Sequence, residues 1–120
     1  MNMSNDYIKK VIIVEGITDK KQIENILTED VIILCTNGTL GVERFDALLE
    51  EYELDNRDVY ILVDEDEPGF VLRNQLRREL PHAKHLYINS NYKEVAETPK
   101  QILANLLATN HFSIRPLYLL

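Results

Sequence analysis

Residues 59–80 read VYILVDEDEPGFVLRNQLRREL. A β-branched apolar run stops at Asp64-Glu65-Asp66-Glu67, and the chain then turns through Pro68-Gly69 into a helical pattern. Four carboxylates at the end of a strand that belongs in a hydrophobic sheet repel one another, so something cationic should compensate them. Two local readings are open. In Asp64-x-Asp66-x-x-Gly69, both aspartates can enter one loop and present oxygens to a hard cation. Magnesium takes only one or two protein carboxylates and keeps several waters. Gly69 would then let the chain pass closely beneath the ion and start the helix. Alternatively, Asp66 or Glu67 caps that helix, whose positive end favours acids. Capping needs one acid, not four.

Outward from this stretch, short apolar runs alternate with helical patterns. Strands are expected at KKVIIVEG (9–16), VIILCTN (31–37), DVYILVD (58–64) and HLYINS (85–90). Helices are expected at TDKKQIENIL (18–27), GVERFDALLEEYEL (41–54), PGFVLRNQLRREL (68–80) and TPKQILANLLAT (98–109). The last has Thr98 as N-cap and Pro99 at its first position. The strands are continuous and β-branched rather than alternating, so both faces should be covered. The pattern implies an α/β fold, a mainly parallel four-stranded sheet with helices on both faces, spanning residues 1–120 as one domain. The tail HFSIRPLYLL is apolar and irregular, and we expect Phe112–Leu120 to be buried on the sheet edge or across a homodimer.

In such folds ligands bind outside the carboxyl ends of the strands. The residues to inspect are therefore Glu15-Gly16, Thr36-Asn37-Gly38, Asp64 to Gly69, and Ser90 to Glu97. Glu15 can lie across from Asp64 and Asp66, binding metal or exchanging a proton. A bland role is harder to find for it, because burying an acid against apolar strands costs energy unless it is paired. Asp19 has a structural reading as an N-terminal helix charge. TNGTLG (36–41) offers Asn37 and Gly38 to a phosphate, or simply makes a turn. In NYKEVAET (91–98), Lys93 is placed to contact a phosphate and Glu94 to add to a metal site; the alternative is a solvated loop. Arg73, Arg77 and Arg78 with His82, Lys84 and His85 form the concentrated basic region. Arg73 and Arg77, at i and i+4, share a helical face that suits a polyanion; Arg77 and Arg78 also suit the helix's negative end. The histidines lack metal-ligand companions and read as surface residues.

The totals bound the partners. The chain has 120 residues and a net charge of −7, which excludes gripping nucleic acid by charge alone. It leaves room for a nucleic-acid enzyme whose carboxylates are masked by metal. The single cysteine, Cys35, lies in an apolar run and reads as a small core hydrophobe; it fits a reducing cytoplasm. The N-terminal stretch lacks a signal core and no run is long enough to cross a membrane.

Two of these segments together resemble the Toprim domain, the catalytic fold shared by primases, topoisomerases and several nucleases. VIIVEGITD (11–19) matches strand-E-G-x-x-D, and ILVDEDEPG (61–69) matches strand-D-x-D-x-x-G, with TNGT in the loop between. The resemblance implies a compact, Rossmann-like parallel sheet, Mg²⁺ (or Mn²⁺) on Asp64 and Asp66, and Glu15 as general acid or base. Gly16, Asp19 and Gly69 become structural members of the motifs. The D-x-D-x-P-G form and the TNG loop look most like the ribonuclease that matures 5S ribosomal RNA. YKEVAETP is similar to the lysine-plus-acid segment of bacterial primases, but Glu94 stands where aspartate is usual and Ala96 where an acid is usual.

The expected activity is metal-dependent phosphodiester hydrolysis on RNA or DNA. The alternative is a non-catalytic nucleic-acid-binding module that works with a partner protein. A phosphoacceptor receiver domain would need an acidic pair after its first strand and a lysine after a fifth; neither is present. At this length we expect neither a complete topoisomerase nor a complete primase.

Overall fold

The computed structural model describes residues 8–119. The N-terminal residues 1–7 and Leu120, the end of the apolar tail, lie outside the described residues. Four strands alternate with helices: β1 (Val11–Val14), α1 (Ile17–Ile26), β2 (Ile32–Cys35), α2 (Val42–Glu51), β3 (Val59–Leu62), α3 (Glu67–Glu79), β4 (Lys84–Leu86) and α4 (Lys100–Thr109). The sheet order is β2-β1-β3-β4, and every pairing is parallel. All four strands therefore point their carboxyl ends to one edge.

The two central strands are fully buried, so each feeds a core on both faces. Ile12 and Val14 of β1 with Tyr60 and Leu62 of β3 pack with Ile23, Ile26, Leu103 and Leu107 of α1 and α4. Val11, Ile13, Val59 and Ile61 pack on the other face with Phe45, Leu72 and Leu76 of α2 and α3. This period-two division explains why the strand runs lack polar alternation.

Element ends differ from the sequence pattern where hydrogen bonding decides them. The fourth strand, expected at 85–90, is Lys84–Leu86, because its only ladder partner β3 ends at the Leu62–Leu86 pair. The second helix ends at Glu51 rather than 54; Glu53 adopts a left-handed backbone (φ 51°) and a short 3₁₀ turn follows at Leu54–Asn56. Thr98 does not cap α4. Its hydroxyl donates to the Glu94 carbonyl at 2.9 Å, and Pro99 holds the N-cap position.

The tail is divided. Phe112 and Ile114 are buried in their own chain, Phe112 edge-on to Tyr60 at 4.7 Å between ring centroids. Ile114 forms one antiparallel bridge with Leu27, not an added strand of the sheet. Leu117 and Leu119 stay exposed. No helix among the described residues is long and apolar enough to cross a membrane.

Candidate metal centre

The carboxyl edge of the central strands carries an acidic triad. Glu15 follows β1 directly, while Asp64 and Asp66 lie in the short β3–α3 loop. One carboxylate oxygen from each lies within 4.8 Å of the other two. None of the three is in an ion pair among the described residues. Main-chain donors hold them instead. The Asp64 N–H donates to Glu15 Oε1 at 2.9 Å, the Val95 N–H to Asp64 Oδ1 at 2.8 Å, and the Gly69 N–H to Asp66 Oδ1 at 2.9 Å.

Burial holds the Glu15 carboxyl above the ordinary glutamate range; the Asp64 N–H opposes this, and the charges of Asp64, Asp66 and Asp19 add to it. Asp64 is raised by burial too, opposed by the Val95 N–H and reinforced by Asp66. Three half-buried, mutually repelling carboxylates with no basic side chain among them make a hard-oxygen donor set. That set fits a divalent cation better than any partner the chain supplies.

The other two acids of the opening stretch have separate roles. Glu65 pairs with Arg73 at 3.1 Å, and Glu67 is exposed in the first turn of α3. Asp66 does cap α3 through Gly69. The capping and cation readings thus apply to one residue at once.

No protein-family model matches the chain. The uncharacterized protein YusF of Bacillus subtilis (strain 168) is 44% identical over 117 residues, covering 98% of this chain and 79% of the relative. A solved structure of a small TOPRIM domain protein from Bacillus stearothermophilus superposes with a TM-score of 0.88 at 46% identity, covering 95% of each chain. The chain belongs to the small Toprim-domain proteins.

Within this Toprim domain the two motif glycines differ. A Cβ on Gly69 would overlap the Asp64 carbonyl oxygen and lie 2.9 Å from its carbon. Only glycine lets α3 start against the metal loop. At Gly16 the backbone is extended (φ −131°), and a Cβ would meet only Asp19 Oδ2, at 3.8 Å. The fold itself does not demand glycine there. Asp19 is buried and accepts the Gly16 N–H at 3.1 Å, which ties the turn after β1. Burial raises its pKa, with Asp64 and Glu94 adding and the Gly16 N–H opposing.

Several expected binding residues are placed otherwise. Arg73 is not on the surface: it is 3% exposed, because its guanidinium is drawn inward by Glu65, the Leu86 carbonyl and His85 Nδ1. Arg77 alone of that pair is exposed. Glu94 is exposed and stands outside the triad; it is the amide of its neighbour Val95 that reaches Asp64. Lys93 is exposed with a left-handed backbone (φ 59°), and its carbonyl accepts the Glu65 N–H at 2.6 Å. The Asn37 N–H is taken by the Glu15 carbonyl at 2.7 Å, so it is not free for a phosphate. Asn37 and Gly38 both turn through positive φ, which fits the turn reading. His85 is half-buried rather than a surface residue. Burial pushes the Cys35 thiol up, which keeps it protonated and inert. The backbone groups of Lys93 and Val95 that clasp the acidic loop had no signature in the sequence, since any residue carries them.

Proposed function

We propose that this Toprim domain is a Mg²⁺-dependent phosphodiesterase of the nuclease type acting on nucleic acid, with Mn²⁺ as a substitute ion. The observation that carries the proposal is the convergence of Glu15, Asp64 and Asp66, none of them in an ion pair among the described residues. Asp64 and Asp66 would hold the ion jointly with Glu15. A divalent ion held by these carboxylates would supply positive charge to a scissile phosphate. Glu15 takes the proton of the attacking water or returns one to the leaving oxygen. Lys93 and Arg77, both exposed, supply positive charge for the polymer backbone. A cytoplasmic setting accords with the lone, free Cys35.

The test is cleavage of mixed structured RNA and DNA with Mg²⁺ or Mn²⁺, run beside Asp64→Asn and Glu15→Gln. Wild-type protein should cleave; Asp64→Asn should lose both metal binding and cleavage. Glu15→Gln should abolish turnover while weakening metal binding less than Asp64→Asn, since Gln keeps an oxygen for the ion and an acceptor for the Asp64 N–H. Full activity in Glu15→Gln would remove Glu15 from the chemistry.

A second reading, a non-catalytic binding module that works with a partner protein, draws on the net charge of −7 and on the burial of Arg73. Both leave few cations to hold a polyanion unaided. Metal-dependent binding without cleavage of any substrate would favour it.

A further inference from the structure

The burial of Arg73 has a second consequence, at the outer edge of the sheet. Its guanidinium lies against one face of the Tyr87 ring, with Cζ 4.1 Å from the ring centroid. The His85 ring flanks Tyr87 at 6.5 Å between centroids. Tyr87 is nevertheless 52% exposed. A ring backed by a buried cation and still half open is held in place with surface to spare. Tyrosine rings, apolar in body and polar at the tip, are enriched at interfaces, and a cation over one face steadies the ring.

The neighbours of Tyr87 extend this surface toward the acidic triad. Arg77 Nη2 lies 3.5 Å from the Tyr87 hydroxyl, and Arg77 Nη1 donates to Asn74 Oδ1 at 2.8 Å. Phe70, Asn74 and Arg77 are spaced i, i+4 and i+7, so they form one stripe along α3. The Arg77 contact shows that this stripe faces the β4 edge. Phe70, 48% exposed, sits in the first turn of α3, four residues after Asp66. A track of aromatic and basic side chains thus runs from the sheet edge to the metal loop. The buried Arg73 joins its two ends, since it supports Tyr87 and pairs with Glu65 between Asp64 and Asp66.

We infer that Tyr87 is a stacking platform for an unpaired base, with Arg77 beside it for the adjoining phosphate, so that the polymer bound here is single-stranded or locally unpaired. Inside a duplex the base faces stay stacked on one another and are closed to this ring. The charge of Arg77 supplies a local electrostatic complement that the acidic chain as a whole lacks. The inference rests on the nucleic-acid reading of the triad and names its substrate class.

The experiment uses full-length protein carrying Glu15→Gln, in Mg²⁺, and fluorescence anisotropy with labelled oligonucleotides. The probes are an unstructured DNA strand, the matching RNA strand, their blunt duplexes, and single strands containing abasic positions. Single strands should bind more tightly than duplexes. Tyr87→Ala should weaken single-strand binding roughly five- to hundredfold, the range for loss of one stacked base. Tyr87→Phe should stay within about twofold, because it keeps the ring. Abasic strands should bind the Tyr87 protein weakly and respond little to Tyr87→Ala, a comparison that does not depend on the stability of the variant. Unchanged binding in Tyr87→Ala, equal losses for duplex and single strand, or intact binding of abasic strands would overturn the platform. So would failure of every strand to bind. Calorimetric Mg²⁺ titration of the wild-type protein is run in parallel. Metal binding together with duplex binding, but no preference for single strands, overturns the platform alone. Tyr87-dependent strand binding without metal binding overturns the nuclease reading and leaves the platform standing.

Discussion

The Asp64 N–H donates to Glu15 Oε1 at 2.9 Å, so the loop bearing two acids of the triad also fixes the third. Asp64 therefore has two separable roles: its backbone positions Glu15, and its side chain adds charge. Asp64→Asn keeps the first, and also keeps an oxygen to accept the Val95 N–H. It removes only the charge. In chelator, the variant should be more stable than wild type by about 0.5–2 kcal/mol, because a like-charge repulsion is relieved. Added Mg²⁺ should raise the melting temperature of wild type progressively with concentration and leave the variant unmoved. Equal metal-induced shifts in the two proteins would count against the site.

The two motif glycines should respond in opposite ways to a methyl group. Gly69→Ala forces a Cβ into the Asp64 carbonyl, a backbone group that cannot move without displacing the metal loop. It should cost more than about 3 kcal/mol or prevent folding. Gly16→Ala meets only ordinary contact and an extended backbone, so its melting temperature should stay close to wild type. If Mg²⁺ affinity or strand binding falls in that folded variant, the space above Gly16 belongs to the ligand. Circular dichroism melts of the two variants decide the first comparison.

The parts of this molecule that were legible in the sequence are those set by side-chain pattern. Continuous β-branched runs gave the parallel sheet, and strand-end acids gave the triad, because ligands in such folds gather at one edge. What could not be read depends on direction and pairing. The spacing of Arg73 and Arg77 places them near each other on α3, but only the position of β4 and Glu65 turns Arg73 inward. Residues 85–90 are apolar enough for a longer strand, yet the available β3 partner stops at Leu62. The donors from Gly69 and Val95 and the acceptor of Lys93 are main-chain groups, which composition does not mark.

Phe112 and Leu117 lie in the same apolar tail but should differ sharply in energetic weight. Phe112 is buried against Tyr60 and under the Lys10 ammonium, whose Nζ lies 4.7 Å from the ring centroid. Phe112→Ala should cost about 3–5 kcal/mol in urea unfolding, as for other buried aromatics. Leu117 is 62% exposed, and Leu117→Ser should change stability by no more than about 0.5 kcal/mol. A loss at Leu117 comparable to that at Phe112, together with a change of mass in light scattering, would mean that a second copy covers the exposed end.

Protonation of His85 should loosen the support of the metal loop. Burial first, then the charges of Arg73 and Arg77, lower its pKa to about 4. Arg73 Nη1 lies 3.0 Å from His85 Nδ1, and an arginine can only donate, so the neutral ring accepts through Nδ1. The folded-state pKa is below that of an unfolded histidine, about 6.5. The stabilisation is therefore complete above pH 6.5 and is lost as pH falls through the folded value near 4. Melting temperature should drop across that window. His85→Gln retains an acceptor for Arg73 but does not titrate, so this variant should show a shallower decline. Proton NMR of the imidazole gives the direct check: a midpoint near 4 is expected, and one near 6.5 would show that Arg73 does not hold the ring in its neutral form.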